Sequence, residues 1–158
     1  MKSIQVLLVD DEPSILRGLR MRLALEPDIA VVGEATDGST AVNLAGQLNP
    51  DVVLMDVNMP VMDGIEATRE LASRTPGTAV VVLSMQDDRA TVARALAAGA
   101  VAFVGKRQQD GDLLAAIRMA ARMTEGGALE IPQTKLNELC EWVKCNDEEV
   151  NQHNQGGQ

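Results

Sequence analysis

The 158-residue sequence predicts an α/β fold, in which a doubly wound sheet of five parallel strands is covered by helices on both faces. Short apolar segments alternate five times with segments of helical periodicity. Most of the apolar segments are rich in β-branched residues and lack an apolar/polar alternation, which is typical of strands buried on both faces. Their alternation with helices implies right-handed crossovers between parallel strands.

Each predicted strand is a short apolar run. The runs are IQVLLV (4–9), IAVVGEA (29–35), DVVLM (51–55), TAVVVLS (78–84) and VAFV (101–104). The helical segments are PSILRGLRMRLALE (13–26), DGSTAVNLAGQL (37–48), GIEATRELASR (64–74), DDRATVARALAAG (87–99) and DGDLLAAIRMAARM (110–123). In the first of these, Pro13 is favoured in a first turn, and Leu16, Leu19 and Leu23 form an apolar stripe. The fourth ends in Gly99, which suits the end of a helix.

The composition narrows the classes of function. The formal net charge is −9 and no basic patch is visible, so we expect no direct contact with nucleic acid. No window is as long and apolar as a membrane span, and the N-terminus is predicted to be a strand and not a signal peptide. Cys140 and Cys145 are too few for a zinc site and are typical of free thiols in the cytoplasm.

The character of the chain changes after Met123, and we therefore predict a domain at 1–124 and an acidic linker or tail at 125–158. The tail holds seven acidic residues and two lysines, a net charge of −5. Leu136, Leu139, Cys140 and Val143 lie at helical spacing and predict a short helix. The polar stretch after them is typical of disorder.

Polar side chains follow the predicted strands, and the carboxyl ends of parallel strands share one edge of the sheet. Asp10 and Asp11 follow the first strand and Asp56 follows the third. Carboxylates so close together repel one another, and a hard cation such as Mg²⁺ relieves the repulsion. Asn58 could complete the set of oxygen ligands. We therefore predict a magnesium site at this edge.

Two further residues at this edge are suited to binding a phosphoryl group. Ser84 follows the fourth strand and Lys106 the fifth, so a hydroxyl donor and a positive charge would accompany Asp56. This pattern predicts phosphoryl transfer to Asp56, giving an aspartyl phosphate. Each residue alone has a simpler explanation, as a helix cap, a surface lysine or, for Phe103, a core side chain. Only their joint pattern favours function.

Two other α/β functions fit less well. Dinucleotide binding needs a glycine-rich turn after the first strand, where this chain has acidic residues. A phosphatase of the haloacid dehalogenase type also uses an Asp nucleophile after a strand. Its second Asp, the acid/base catalyst, is replaced here by Asn58.

The segments VLLVDDE, LMDVNMPVMDG, VVVLS and AAGAVAFVGK resemble the receiver domain of bacterial two-component response regulators over about residues 3–124. The resemblance implies a flavodoxin-like fold with strand order 2-1-3-4-5. It implies that Asp56 is the phospho-acceptor, that Asp10 and Asp11 form an acidic Mg²⁺ pocket with the Asn58 carbonyl, and that Lys106 contacts the phosphoryl group.

The same resemblance implies a switch and a donor. Ser84 and Phe103 would be the hydroxyl and aromatic pair that rearranges on phosphorylation, while Asn58 and Gln86 would tune the loss of phosphate. The donor would be a sensor histidine kinase or a phosphotransfer protein, and the response a change in partner binding or homodimerisation.

The segment DLLAAIRMAARMTEGGALEIP resembles the LuxR-type branch of transcription regulators, which continue into a helix-turn-helix domain. We find no basic recognition helix in this chain, and we therefore expect a receiver without a DNA-binding output. The alternatives are the receiver part of a DNA-binding regulator truncated before that domain and, less favoured, a metal-dependent phosphatase.

Overall fold

The computed structural model describes residues 3–59, 62–84, 89–105 and 110–124. Five parallel strands form one sheet in the order β2-β1-β3-β4-β5, which confirms the predicted fold class and strand order. The strands are β1 (Ile4–Val9), β2 (Ile29–Ala35), β3 (Val52–Asp56), β4 (Ala79–Ser84) and β5 (Ala102–Gly105). The helices are α1 (Pro13–Leu23), α2 (Gly38–Leu48), α3 (Gly64–Arg74), α4 (Arg89–Ala98) and α5 (Asp110–Thr124).

The largest difference from the predicted bounds is at the end of α1, which stops at Leu23 and not at Glu26. Pro27 lies just beyond, and a proline disfavours helical geometry in the residue before it and cannot donate a helical hydrogen bond. A smaller difference matters for the site, because Asp56 is the last residue of β3 and does not follow it, whereas Ser84 ends β4 at the predicted bound.

The core is divided between the two faces of the sheet. Along β1, Val6 and Leu8 point to one face while Leu7 and Val9 point to the other, as the period of two in a strand requires. The first face packs against α1 and α5, and the second packs against α2, α3 and α4. Since all four residues are at most 2% exposed, β1 is covered on both sides.

Two helices begin with an aspartate cap. Asp37 accepts hydrogen bonds from the Thr40 backbone N–H at 2.8 Å and from its hydroxyl at 2.9 Å, and the backbone bond is the main cause of the lowered pKa of Asp37. Asp63 accepts from the Glu66 backbone N–H at 2.8 Å. These carboxylates satisfy amide groups that a helix N-terminus otherwise leaves without partners.

Ion pairs connect α1 and α5 to the segment around β2. Arg118 of α5 lies 2.8 Å from Glu26 and 3.0 Å from Asp28, and Arg20 of α1 lies 2.6 Å from Glu34. The hydrogen bond from Arg118 is the main cause of the lowered pKa of Asp28. These pairs are solvent-exposed, so they contribute little stability, but they locate the second half of α5 beside the end of α1.

No helix in the described part of the chain is long and apolar enough to cross a membrane. The predicted short helix at 136–143 and the predicted disorder after it fall outside the described residues.

Candidate functional site

The strand register decides which side chains meet at the carboxyl edge of the sheet. Val9 pairs with Met55, so Asp10 continues β1 at the level of Asp56 on the neighbouring strand. Asp56 in turn pairs with Leu83 of β4, directly before Ser84. Residues separated by dozens of positions in the sequence therefore end up on adjacent strands.

Three carboxylates converge at this edge. Asp10, Asp11 and Asp56 each offer an oxygen atom within 4.8 Å of the oxygen atoms that the other two offer. Asp10 and Asp56 are buried, with 1% and 4% of their surface exposed, whereas Asp11 is exposed. The cluster thus contains two buried carboxylates and one that is exposed to solvent.

The residue at the cap position of α1 does not cap the helix through its side chain. Glu12 occupies the cap position, yet its side chain makes no capping hydrogen bond. The Asp10 carboxylate accepts a hydrogen bond from the Glu12 backbone N–H at 3.0 Å, which holds the turn after β1. This bond helps to fix the orientation of the Asp10 carboxylate. A carboxylate that accepts one hydrogen bond still has lone pairs that can bind a cation.

Asp56 lies against the start of α3 with almost no clearance. A Cβ atom added to Gly64 would lie 1.9 Å from the Asp56 carbonyl oxygen and 2.9 Å from the Val57 Cα. The Gly64 N–H also donates to the Val57 carbonyl at 3.0 Å. The chain therefore folds back on itself directly behind Asp56, and only glycine permits this approach.

Two neighbouring features of this loop were not predicted. Gly38, the first residue of α2, lies so close to Met62 that an added Cβ would be 2.8 Å from the Met62 carbonyl oxygen. Asp63 caps α3, and the sequence signal for it is the acid followed three positions later by Glu66, a pattern typical of helix starts. Both contacts hold the segment between Asp56 and α3.

The other predicted site residues differ in their burial and in their distance along the chain from the aspartate cluster, and two of them lie outside the described residues. Ser84 is fully buried at the end of β4, beside the cluster, and Phe103 is half-buried and packs against the core under α2, α3 and α4. Asn58 is exposed, two positions beyond Asp56. Lys106 and Gln86 lie outside the described residues.

The chemistry of the cluster fits a hard divalent cation. All three groups are carboxylates, and Mg²⁺ prefers oxygen ligands, binds through one or two carboxylates and keeps several waters. Burial of Asp10 and Asp56 makes the repulsion between their charges costly, because desolvation strengthens it. A bound cation would remove that cost, so the three aspartates are suited to hold one.

A doubly wound parallel sheet in the order 2-1-3-4-5 is the flavodoxin-like fold, and here its carboxyl edge carries a cluster of three aspartates. Residues 6–118 match the family of the response regulator receiver domain. The chain therefore belongs to the receiver domains of two-component response regulators.

Known relatives agree with this assignment. The chain is 36% identical over 154 residues to the transcriptional regulatory protein DegU of Brevibacillus brevis, covering 98% of this chain and 64% of that protein. It is 38% identical over 116 residues to the nitrate/nitrite response regulator protein NarL of Escherichia coli K12, covering 73% of this chain and 54% of that protein. The chain thus spans between about half and two thirds of the length of these relatives.

A solved structure agrees as well. The signal receiver domain of the NarL response regulator from Mycobacterium tuberculosis is similar, with a TM-score of 0.74 and 34% identity. That similarity covers 77% of this chain and 98% of the other. The chain is therefore a signalling domain related to the DegU and NarL response regulators.

Proposed function

We propose that Asp56 accepts a phosphoryl group from a phosphohistidine on a sensor kinase or phosphotransfer protein in the cytoplasm. The resulting aspartyl phosphate would switch the conformation of the domain and so control partner binding or dimerisation. The observation that carries this proposal is the convergence of Asp10, Asp11 and Asp56 within 4.8 Å at the carboxyl edge of the sheet. The receiver would comprise residues 1–124, with residues 125–158 as an acidic tail.

The transfer requires one bond to form and one to break. A carboxylate oxygen of Asp56 attacks phosphorus, and the P–N bond to the donor imidazole breaks with its electron pair returning to the ring nitrogen. Mg²⁺, when bound, neutralises negative charge on the phosphoryl oxygens. Asp10 and Asp11 would hold the cation together with the carbonyl of Asn58, and Lys106 would bind a phosphoryl oxygen.

The switch would use the two residues on the neighbouring strands. A phosphoryl group adds up to about two negative charges and new acceptor oxygens. Ser84 is buried at the end of β4, next to the strand of Asp56, which supports the proposal that its hydroxyl would donate to such an oxygen. Phe103 lies on β5 beside β4 and is half-buried, which supports its role as the aromatic partner of Ser84 in the switch.

The test is treatment of the full chain with acetyl phosphate and Mg²⁺, followed by intact mass measurement. We expect the addition of one phosphoryl group, and none for Asp56→Asn, which removes the charged oxygen but keeps the shape. Labelling at another residue, or no labelling of the wild-type chain with metal present, would contradict the proposal. A loss of labelling on metal removal would support the assignment of the cation.

A second function is favoured by the relatives. DegU and NarL are named as regulators, DegU of transcription, and the chain spans 64% and 54% of their lengths. The chain would then be the regulatory part of a DNA-binding protein, with the same chemistry at Asp56. The source gene tests this directly, because an in-frame helix-turn-helix segment after Gln158 would establish it and a stop codon would rule it out.

A phosphatase is the weaker third candidate. Repeated turnover of phosphate esters that disappears in Asp56→Ala would support it, whereas a single labelling event per chain supports the receiver.

A further inference from the structure

The first turn of α2 packs against the loop that follows Asp56. Gly38 is the first residue of α2 and is buried. A Cβ atom added to it would lie 2.8 Å from the Met62 carbonyl oxygen, 2.9 Å from the Met62 Cγ and 3.1 Å from the Ala67 Cβ. Since Cβ atoms in proteins essentially never come within 3.0 Å of such neighbours, Met62 already occupies the space that a side chain at Gly38 would need.

The backbone of Gly38 gives no reason for a glycine at this position. Among the described residues, Gly99 is the glycine with a positive φ, so alanine could adopt the backbone conformation of Gly38. Glycine within a helix costs about 0.5–1 kcal/mol relative to alanine, because it loses more conformational freedom on folding. The close approach of Met62 therefore explains why a side chain is absent here.

Met62 is connected to the residues of the site. Two positions beyond it, the Gly64 N–H donates a hydrogen bond to the Val57 carbonyl at 3.0 Å. Val57 lies between Asp56 and Asn58 in the sequence, so this bond joins the Met62 end of the loop to the Asp56 end. A displacement of Met62 therefore acts on the segment that carries Asp56 and Asn58.

The loop is the side of this contact that would give way. Ala67 of α3 and the α2 residues Ala41 and Ala45 are fully buried, whereas Met62 is half-buried and lies in neither a helix nor a strand. Closely packed helices resist displacement, while loops with fewer buried contacts move at a lower cost in free energy. The carbonyl oxygen of Met62 is a backbone atom, so no side-chain rotation relieves the clash. An added methyl group at Gly38 would therefore push the loop away from α2.

We propose that Gly38 is a positioning residue for the Mg²⁺ and phosphoryl site and that it acts through Met62. The first turn of α2 would set the position of the loop, and the loop would set the positions of Asp56 and the Asn58 carbonyl. Mg²⁺ demands a near-ideal octahedral geometry, so a shift of one oxygen ligand lowers its affinity. This inference rests on the proposed function, because it concerns the cation and the transfer of the phosphoryl group to Asp56.

The test is Gly38→Ala in the full chain, with Mg²⁺ affinity measured by titration of amide NMR signals in the absence of a phosphoryl donor. To lengthen the contact from 2.8 Å to between 3.0 and 3.4 Å, the Met62 carbonyl must move by about 0.2–0.6 Å. A displacement of about 1 Å can cost about a hundredfold in rate, so we expect labelling with acetyl phosphate to be about 3- to 15-fold slower. The Mg²⁺ affinity should fall as well.

The matched control is Gly99→Ala, because its added Cβ would lie 2.9 Å from the Ala72 Cβ and causes a similar clash. Gly99 precedes β5 and therefore lies toward the edge of the sheet opposite Asp56. This control should lose stability in urea unfolding and yet keep the wild-type Mg²⁺ affinity and labelling rate while it is folded. If Gly38→Ala keeps the wild-type values, or if both variants lose Mg²⁺ affinity equally, the inference is wrong.

The role of Met62 is tested by Met62→Ala, which introduces no clash. It removes the side chain that lies against α2, so it should also lower the Mg²⁺ affinity and the labelling rate. In the double variant Gly38→Ala/Met62→Ala, the Cγ that lay 2.9 Å from the added Cβ is gone, and we expect a smaller loss than the sum of the two single losses in free energy. Losses that add would refute the role of Met62.

The wild-type chain separates this inference from the proposed function. A wild-type chain that neither binds Mg²⁺ nor accepts a phosphoryl group would overturn the proposed function and this inference with it. A wild-type chain that does both, beside a Gly38→Ala variant with the same affinity and rate, would overturn this inference alone.

Discussion

Replacing Gly64 by alanine tests the link between local packing and the position of Asp56. Gly64 is buried at the first position of α3, and the new Cβ would lie 1.9 Å from the Asp56 carbonyl oxygen. Real Cβ atoms essentially never approach closer than 3.0 Å, so the two backbone segments must separate by about 1.1 Å, the difference between these distances. The obstacle is backbone, so no side-chain rotation can relieve it.

Two effects of this displacement can be estimated. Forcing extra volume into a packed site costs about 1–3 kcal/mol of the free energy of unfolding. A reacting group moved by about 1 Å can lose about a hundredfold in rate. We therefore expect Gly64→Ala to be destabilised and also to label much more slowly with acetyl phosphate under conditions where it remains folded.

The assay compares urea unfolding and the rate of Asp56 labelling with a matched control, Gly46→Ala. Gly46 lies inside α2, and an added Cβ would meet no atom within 4 Å. Alanine is favoured over glycine inside a helix by about 0.5–1 kcal/mol, so this variant should be slightly stabilised and label at the wild-type rate. If Gly64→Ala keeps the wild-type labelling rate while folded, the contact does not position Asp56 and the reasoning fails.

Two further predictions concern stability alone. The pKa of Asp37 is lowered in the folded chain, mainly by the backbone hydrogen bond from Thr40. The stability that the ionised Asp37 side chain contributes is therefore complete above the ordinary pKa of about 3.9, and it is lost as the pH falls through the lower pKa of the folded state. The difference in Tm between the wild type and Asp37→Asn should therefore become smaller below about pH 4, and a Tm difference that does not change with pH would contradict this. Gly99 has a φ of +116° and its added Cβ would lie 2.9 Å from the Ala72 Cβ, so Gly99→Ala should lose about 1–3 kcal/mol in urea unfolding. Gly77→Ala, which meets open space, is its control, and equal losses in the two variants would refute the argument.

Much of the fold could be predicted because its signals are local. The apolar runs and helical stripes reproduced all five strands and all five helices to within a few residues, since burial on both faces leaves an unbroken apolar run and burial on one face leaves a stripe. The early end of α1 was missed, although Pro27 was a visible signal for it. The register shift at Val32 was also missed, although Gly33, an isolated glycine inside the strand, is a signal for such an irregularity.

The sequence by itself determined the order in which strands and helices alternate along the chain. It also determined that Asp10, Asp11 and Asp56 lie at the ends of strands. Only the tertiary structure decided that their oxygen atoms lie within 4.8 Å, because parallel crossovers join residues 46 positions apart through the register of β1 and β3. The role of Gly64 belongs to the same level. An isolated glycine after a turn has many explanations, and its contact with the Asp56 carbonyl exists only once α3 has packed behind β3.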